Sequence, residues 1–162
     1  MSLLPQNAVV VADRAAAGKI LCSPRKRAEF GYLVSIGAPE EREPAGFRNI
    51  ARRIRLVFED AMTAAEGGPS RGEIDKLIDF SRSVDFSKGR LLVHCQAGIS
   101  RSSAAAMIVL AALFGPGREG EAVDFVFRSH PQAKPNRRML ELADGLLAAE
   151  GRLLAAGAGV TI

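Results

Sequence analysis

Cysteine is nearly missing from this sequence: Cys22 and Cys95 are the only two. Two cysteines cannot build a disulfide framework, and no CxxC pair offers zinc or iron–sulfur ligation. With only His94 and His130 beside them, no metal and no cofactor is expected. Tryptophan is absent and tyrosine occurs once, so no aromatic-rich platform for single-stranded nucleic acid accompanies the basic residues. Those residues are scattered, with short clusters at Arg25-Lys26-Arg27, Arg52-Arg53-Arg55 and Arg137-Arg138, and nucleic acid is not expected as a partner. No apolar run approaches the roughly 20 residues that span a bilayer. The longest, Ala104 to Phe114, reads as a buried helix, and no membrane association is expected. The opening stretch Met1 to Asn7 lacks the basic start and apolar core of a secretory signal, so a cytoplasmic location is expected. Lysine is scarce as well, five against 17 arginines in a chain of net charge +4. Guanidinium groups grip phosphate and carboxylate oxygens as a bidentate fork.

What is present is ordinary globular material: 162 residues, 48% hydrophobic, enough for one domain, 1–162, with a sizeable core. Ala8 to Val11 and Tyr32 to Ile36 are β-branched or aromatic runs that predict strands. Ile54, Leu56 and Phe58 alternate with Arg53, Arg55 and Val57, a period of two that predicts a third. Leu91-Leu92-Val93, within 90–95, is the continuous apolar run of a strand buried on both faces. Ser70 and Glu73 form a capping box ahead of Ile74, Leu77 and Ile78. Ser102 to Phe114 predicts a core helix ended by Gly115-Pro116-Gly117. Ala122, Val123, Val126 and Phe127 line the next helix, stopped by Pro131. Asn136 caps a last helix carrying Met139, Leu140, Ala143, Leu146 and Leu147, and the tail 157–162 is expected to be loose. Strands alternating with helices predict an α/β domain, with a mostly parallel sheet of four to five strands flanked by helices on both faces. Ligands of such sheets collect at the carboxyl ends of the strands.

One such end carries an unusual constellation, His94-Cys95-Gln96-Ala97-Gly98-Ile99-Ser100-Arg101-Ser102. A loop leaving a buried strand and entering a buried helix aims its N–H groups at one point, reinforced by the helix N-terminus. That geometry binds a tetrahedral oxyanion through residues 96–101: Gln96, Ala97, Gly98, Ile99, Ser100 and Arg101. Gly98 lets the chain turn where a side chain would obstruct it. Arg101 can fold back onto two phosphate oxygens. Thiols at helix N-termini beside cations are stabilised as thiolates, which makes Cys95 a nucleophile toward phosphorus and a phosphocysteine the expected intermediate. Ser102 can donate a hydrogen bond to the sulfur as it leaves, and His94 orients the loop rather than transferring protons. A bare Cys-x5-Arg would arise by chance about one time in five here, but adding His at −1, Gly at +3 and Ser or Thr at +7 lowers that to about 10⁻⁵.

The stretch resembles the signature of the protein tyrosine and dual-specificity phosphatase superfamily, His-Cys-x-x-Gly-x-x-Arg-Ser/Thr. Its filling, Gln-Ala-Gly-Ile-Ser, is similar to the dual-specificity branch. Lys134-Pro135-Asn136 resembles the Pro-Asn before the last helix of those enzymes, where the Asn braces the catalytic loop. From about Ile54 to Leu154 the chain resembles small bacterial tyrosine phosphatase-like members, while the first 50 residues match in outline.

The resemblance implies a fold, a substrate class and a general acid. In the family an Asp lies on a loop roughly 30–40 residues before the cysteine, and Phe58-Glu59-Asp60 occupies that place here. Asp60 is the expected acid and Glu59 its rival. Phosphorylated protein, or a small phosphomonoester, is the implied substrate. Inositol phosphates or phosphoinositides are a second enzymatic reading, disfavoured because the loop holds Gln96, Ala97, Ile99 and Ser100 where lipid and inositol phosphatases tend to carry Lys. A non-catalytic phosphate-binding module is the reading from another class. Arsenate reductases and low-molecular-weight phosphatases are set aside because they carry the motif near the N-terminus. Cys22 is expected to be a structural thiol, with a protective disulfide to Cys95 as the alternative. His130 is expected to be a surface residue at a helix end, and nothing in the pattern specifies an oligomeric state.

Overall fold

The computed structural model describes residues 4–159. Residues 1–3 of the opening segment and 160–162 of the tail lie outside them. Four strands, β1 (Val9–Ala12), β2 (Phe30–Gly37), β3 (Arg52–Val57) and β4 (Arg90–His94), form one sheet in the order β1-β4-β2-β3. All three pairings are parallel, at the low end of the expected strand number. Leu91, Leu92 and Val93 are fully buried, as a central strand covered on both faces requires.

The covering layers are unequal. On one face lie α3 (Arg71–Ser81), α4 (Arg101–Phe114), α5 (Glu119–Ser129), α6 (Arg137–Leu146) and α7 (Arg152–Gly157). They enclose the main core with Tyr32, Val34, Leu56, Leu91 and Val93. The other face is covered by α1 (Arg14–Cys22), followed by the single turn α2 (Pro24–Arg27), and a smaller core of Ala17, Leu21, Leu33, Ile50 and Leu92. Helix α4 is buried from Arg101 through Ala111, and burying each of its large aliphatic side chains stabilises the fold by about 1.5–3 kcal/mol. At the start of α3 the Glu73 carboxylate accepts from both the amide and the hydroxyl of Ser70, at 3.0 and 2.6 Å.

Two elements depart from expectation. The segment 14–27, for which the sequence predicts no element, is helical. Asp13 caps α1 by accepting from the Ala16 amide at 2.7 Å. The tail expected to be loose from 157 is folded at its start, because α7 runs to Gly157. Its N-terminus is capped at a distance by Asp144, which accepts from the amides of Gly151, Leu153 and Leu154 at 2.9, 3.0 and 3.1 Å.

Strand alternation decides what meets at the carboxyl end of the sheet. Val93 and Cys95 belong to the α4 side, so His94 points to the α1 side. There the sheet register sets Ser35 beside both Arg55 and His94.

Candidate active site

Strand β4 ends at His94 and α4 begins at Arg101, leaving residues 95–100 as a loop whose carbonyls are tied from outside. Cys95 O accepts from His94 Nδ1 at 3.1 Å, and Gln96 O from the Arg14 amide at 3.2 Å. Gly98 O accepts from His130 Nε2 at 2.6 Å, and Ile99 O and Ser100 O from the amides of Lys134 and Asn136 at 3.0 and 3.1 Å. In a trans peptide the N–H points away from the preceding carbonyl. Turning these five carbonyls outward therefore turns the amides of residues 96, 97, 99, 100 and 101 into the concavity, a nest for an anion. Gly98 has φ +71°, and a Cβ there would lie 2.6 Å from the Asp13 nitrogen. Only glycine lets the loop pass so close to the end of β1.

Cys95 sits at the floor of this nest, 2% exposed. Its Sγ accepts from the Gly98 amide at 3.2 Å and lies 3.1 Å from Ser102 Oγ, an arrangement that stabilises a sulfur anion. The Arg101 side chain is buried. Its Nη1 donates to Glu41 Oε1 at 3.0 Å and Phe58 O at 2.9 Å, while its Nε is buried with no partner among the described residues. Glu41 also accepts from the Ala38 amide at 2.6 Å. Burial opposes its ionisation, but the Ala38 amide and Arg101 outweigh it and hold the carboxyl below its ordinary range.

Asp60 lies at the mouth, exposed, and its Oδ1 accepts from Ser100 Oγ and from Asn136 Nδ2, both at 2.8 Å. Asn136, 1% exposed, also caps α6 by accepting from the Met139 amide at 2.9 Å. Glu59 is placed differently. Partial burial, then the adjacent Glu40 carboxylate, raise its pKa. His94 is buried and its pKa is lowered from 6.5 to about 4. Desolvation is the main cause, against the opposing bond to Cys95 O, with the Arg55, Arg14 and Arg101 cations adding to it. The imidazole is therefore neutral at pH 7. Since Nδ1 donates to a carbonyl, Nε2 is the bare nitrogen that accepts from Ser35 Oγ at 2.6 Å.

The structure thus brings together His94, Cys95, Gly98, Ser100, Arg101, Ser102, Asp60 and Asn136, with Gln96, Ala97 and Ile99 on the exposed rim of the loop. It separates Cys22 from Cys95. The first residue of α1 touches the loop through Gln96, whereas exposed Cys22 ends that nine-residue helix, roughly 12 Å further along its axis at 1.5 Å per residue. His130, expected at the surface, is half-buried and bonded to the loop. Sequence reasoning missed Ser35, Glu41, Arg55 and His130 as contributors. Arg55 and Ser35 stood in predicted strands and His130 at a predicted helix end, but no pattern gave any of them, or Glu41, a part in the site.

No family model matches the chain. A 64-residue segment, 38% of the chain, is 47% identical to dual specificity protein phosphatase 1-A of Xenopus laevis. A 61-residue segment, 36% of the chain, is 51% identical to dual specificity protein phosphatase 2 of Mus musculus. The matched segments span 16% and 18% of those relatives' lengths. Among solved structures, the human tyrosine phosphatase-like serine/threonine/tyrosine-interacting protein superposes with a TM-score of 0.70 at 19% identity, covering 88% of this chain and 93% of that one. At that identity the superposition establishes the fold. The local sequence matches liken about a third of the chain to dual-specificity phosphatases, and the His-Cys-x5-Arg-Ser loop resembles the signature of the protein tyrosine and dual-specificity phosphatase superfamily.

Proposed function

We propose that the protein is a cysteine-dependent phosphatase that hydrolyses phosphomonoesters in two steps, with phosphorylated protein as its substrate. The observation that carries this reading is the nest itself: inward-facing amides around Cys95 Sγ, with the buried Nε of Arg101, unpartnered among the described residues, beside them. A phosphoryl group has three non-bridging oxygens, and this cradle offers them N–H donors and a guanidinium.

In the first step the Cys95 thiolate attacks phosphorus, an S–P bond forms and the P–O bond to the leaving group breaks. Asp60 protonates the departing oxygen. In the second step Asp60, now a carboxylate, takes a proton from water, which attacks phosphorus and breaks the S–P bond. Ser102 Oγ donates to the sulfur as negative charge returns to it. Asn136 and Ser100 hold Asp60 at the mouth throughout.

Phosphotyrosine, alone or together with phosphoserine and phosphothreonine, is the substrate class the relatives support. Gln96, Ala97, Ile99 and Ser100 supply no cation for a highly charged inositol ring. A cytoplasmic location belongs to the same proposal, because the chemistry needs a reduced thiol.

The test is hydrolysis of para-nitrophenyl phosphate with excess chelator, comparing wild type with Cys95→Ser. Chelator-resistant turnover that the substitution abolishes, with phosphate binding retained, supports the reading. No turnover in a folded wild type moves it to a phosphate-binding module.

A further inference from the structure

Three side chains from three neighbouring strands stand in a row on the α1 face of the sheet: Arg55 on β3, Ser35 on β2 and His94 on β4. Arg55 Nη1 donates to Ser35 Oγ at 2.8 Å, Ser35 donates to His94 Nε2 at 2.6 Å, and His94 Nδ1 donates to Cys95 O at 3.1 Å. The other arm of the same guanidinium goes elsewhere. Arg55 Nη2 donates to Glu41 O at 2.7 Å, and the Glu41 carboxylate holds Arg101 Nη1 at 3.0 Å. The guanidinium lies against Gly37, where a Cβ would run into Nη2, so the sequence leaves a seat for it.

We propose that Arg55 is a positioning residue for catalysis: one planar guanidinium fixes the nucleophile's loop through Ser35 and His94, and the phosphate-binding arginine through Glu41. The role requires an arginine. Lysine offers a single ammonium where two forked donors diverge, one to Ser35 Oγ on β2 and one to the Glu41 carbonyl. Ser35 is the polarity switch of the chain, since its hydroxyl accepts from Arg55 and for that reason gives its own proton to His94. This fixes the imidazole tautomer with the proton on Nδ1, the only one that can tie Cys95 O in place. Misplacing a reacting group by about 1 Å costs on the order of 10²-fold in rate, so both of its connections are connections to rate.

The inference rests on the phosphatase reading, and its test separates the two. Arg55→Met should lower kcat for para-nitrophenyl phosphate by about 10²-fold, and Arg55→Lys should not restore it. Arg53→Met is the control. Arg53 is a half-buried arginine two residues away on the same face, stacked on Phe47 at 5.1 Å and bonded to Ile50 O at 3.0 Å, and its loss should leave turnover within about twofold of wild type. Millimolar guanidinium should restore part of the lost turnover to Arg55→Ala and none to Arg53→Met.

Imidazole nitrogen chemical shifts of wild type test the relay without any variant: Nδ1 should be protonated and Nε2 bare, and Ser35→Ala should disturb that pattern. A wild type with the proton on Nε2, or an Arg55→Met enzyme as active as Arg53→Met, overturns the proposal. If wild type has no Cys95-dependent turnover, the phosphatase reading fails instead, and the nitrogen shifts still decide the relay.

Discussion

Asn136 donates through Nδ2 to Asp60 Oδ1 at 2.8 Å across 76 residues of sequence, while its own Oδ1 caps α6 on the Met139 amide. One side chain therefore joins the start of α6 to the carboxylate at the mouth, and the two duties can be separated by substitution. Asn136→Asp keeps an acceptor for Met139 but replaces the donor facing Asp60 with a second carboxylate. It should keep the cap of α6 and lose turnover, with a further cost in stability because two carboxylates then face each other at a buried position. Asn136→Ala should lose turnover and, in addition, about 1 kcal/mol for the missing cap. Urea denaturation beside steady-state kinetics checks both.

The identity of the acid is decided by leaving-group dependence. A positioned general acid contributes about 10²–10⁴-fold, and the contribution shrinks when the leaving oxygen needs no proton. Asp60→Asn should therefore slow alkyl and phenyl phosphates far more than para-nitrophenyl phosphate, while Glu59→Gln should slow all of them alike and little. The raised pKa of Glu59 makes it the natural rival. A leaving-group trend in Glu59→Gln and none in Asp60→Asn would transfer the role.

On the proposed mechanism Ser102 Oγ, 3.1 Å from Sγ, acts when the sulfur departs. A hydrogen bond to a charged group is worth about 1.5–3 kcal/mol, roughly tenfold to a hundredfold in rate. Ser102→Ala should lower kcat by that factor, leave kcat/KM nearly unchanged, and show a nitrophenol burst equal to the enzyme concentration in stopped flow.

His94 predicts an acid-sensitive fold. The unfolded imidazole takes its proton near pH 6.5, the folded one only near 4, so between those values the unfolded chain binds more protons. Stability is fully present above pH 6.5 and falls as the pH drops toward 4, by about 2 kcal/mol at pH 5. Glu41 and Glu119, whose carboxyls are held below their ordinary range, lose their contributions only below about pH 4.5. Urea unfolding at pH 7 and pH 5 should show this loss, and His94→Asn should flatten it.

Local chemistry made much of this legible from the sequence. Ser70 with Glu73, Asn136 before an amphipathic helix, and the apolar stretch 104–114 each announce an element within a few residues. Cys95, Gly98 and Arg101 announce the nest because seven consecutive residues build it. Helix α1 escaped because its buried side is small, Ala17, Gly18 and Leu21, and leaves no strong apolar stripe to read. Helix α7 escaped because its cap, Asp144, comes from the preceding helix. Glu41, Ser35 and Arg55 escaped for a different reason. Glu41 and Ser35 meet Arg101 and His94 about 60 positions away, and Arg55 reaches both through Ser35 and Glu41, pairings that the fold creates and no local pattern encodes.

The most direct test of the central claim is rapid acid quench of wild type and Ser102→Ala turning over para-nitrophenyl phosphate, followed by mass spectrometry of the digested protein. The account predicts a single phosphate on the peptide containing Cys95, accumulating in Ser102→Ala and absent from Cys95→Ser. A phosphate on any other residue, or turnover surviving in Cys95→Ser, would contradict it.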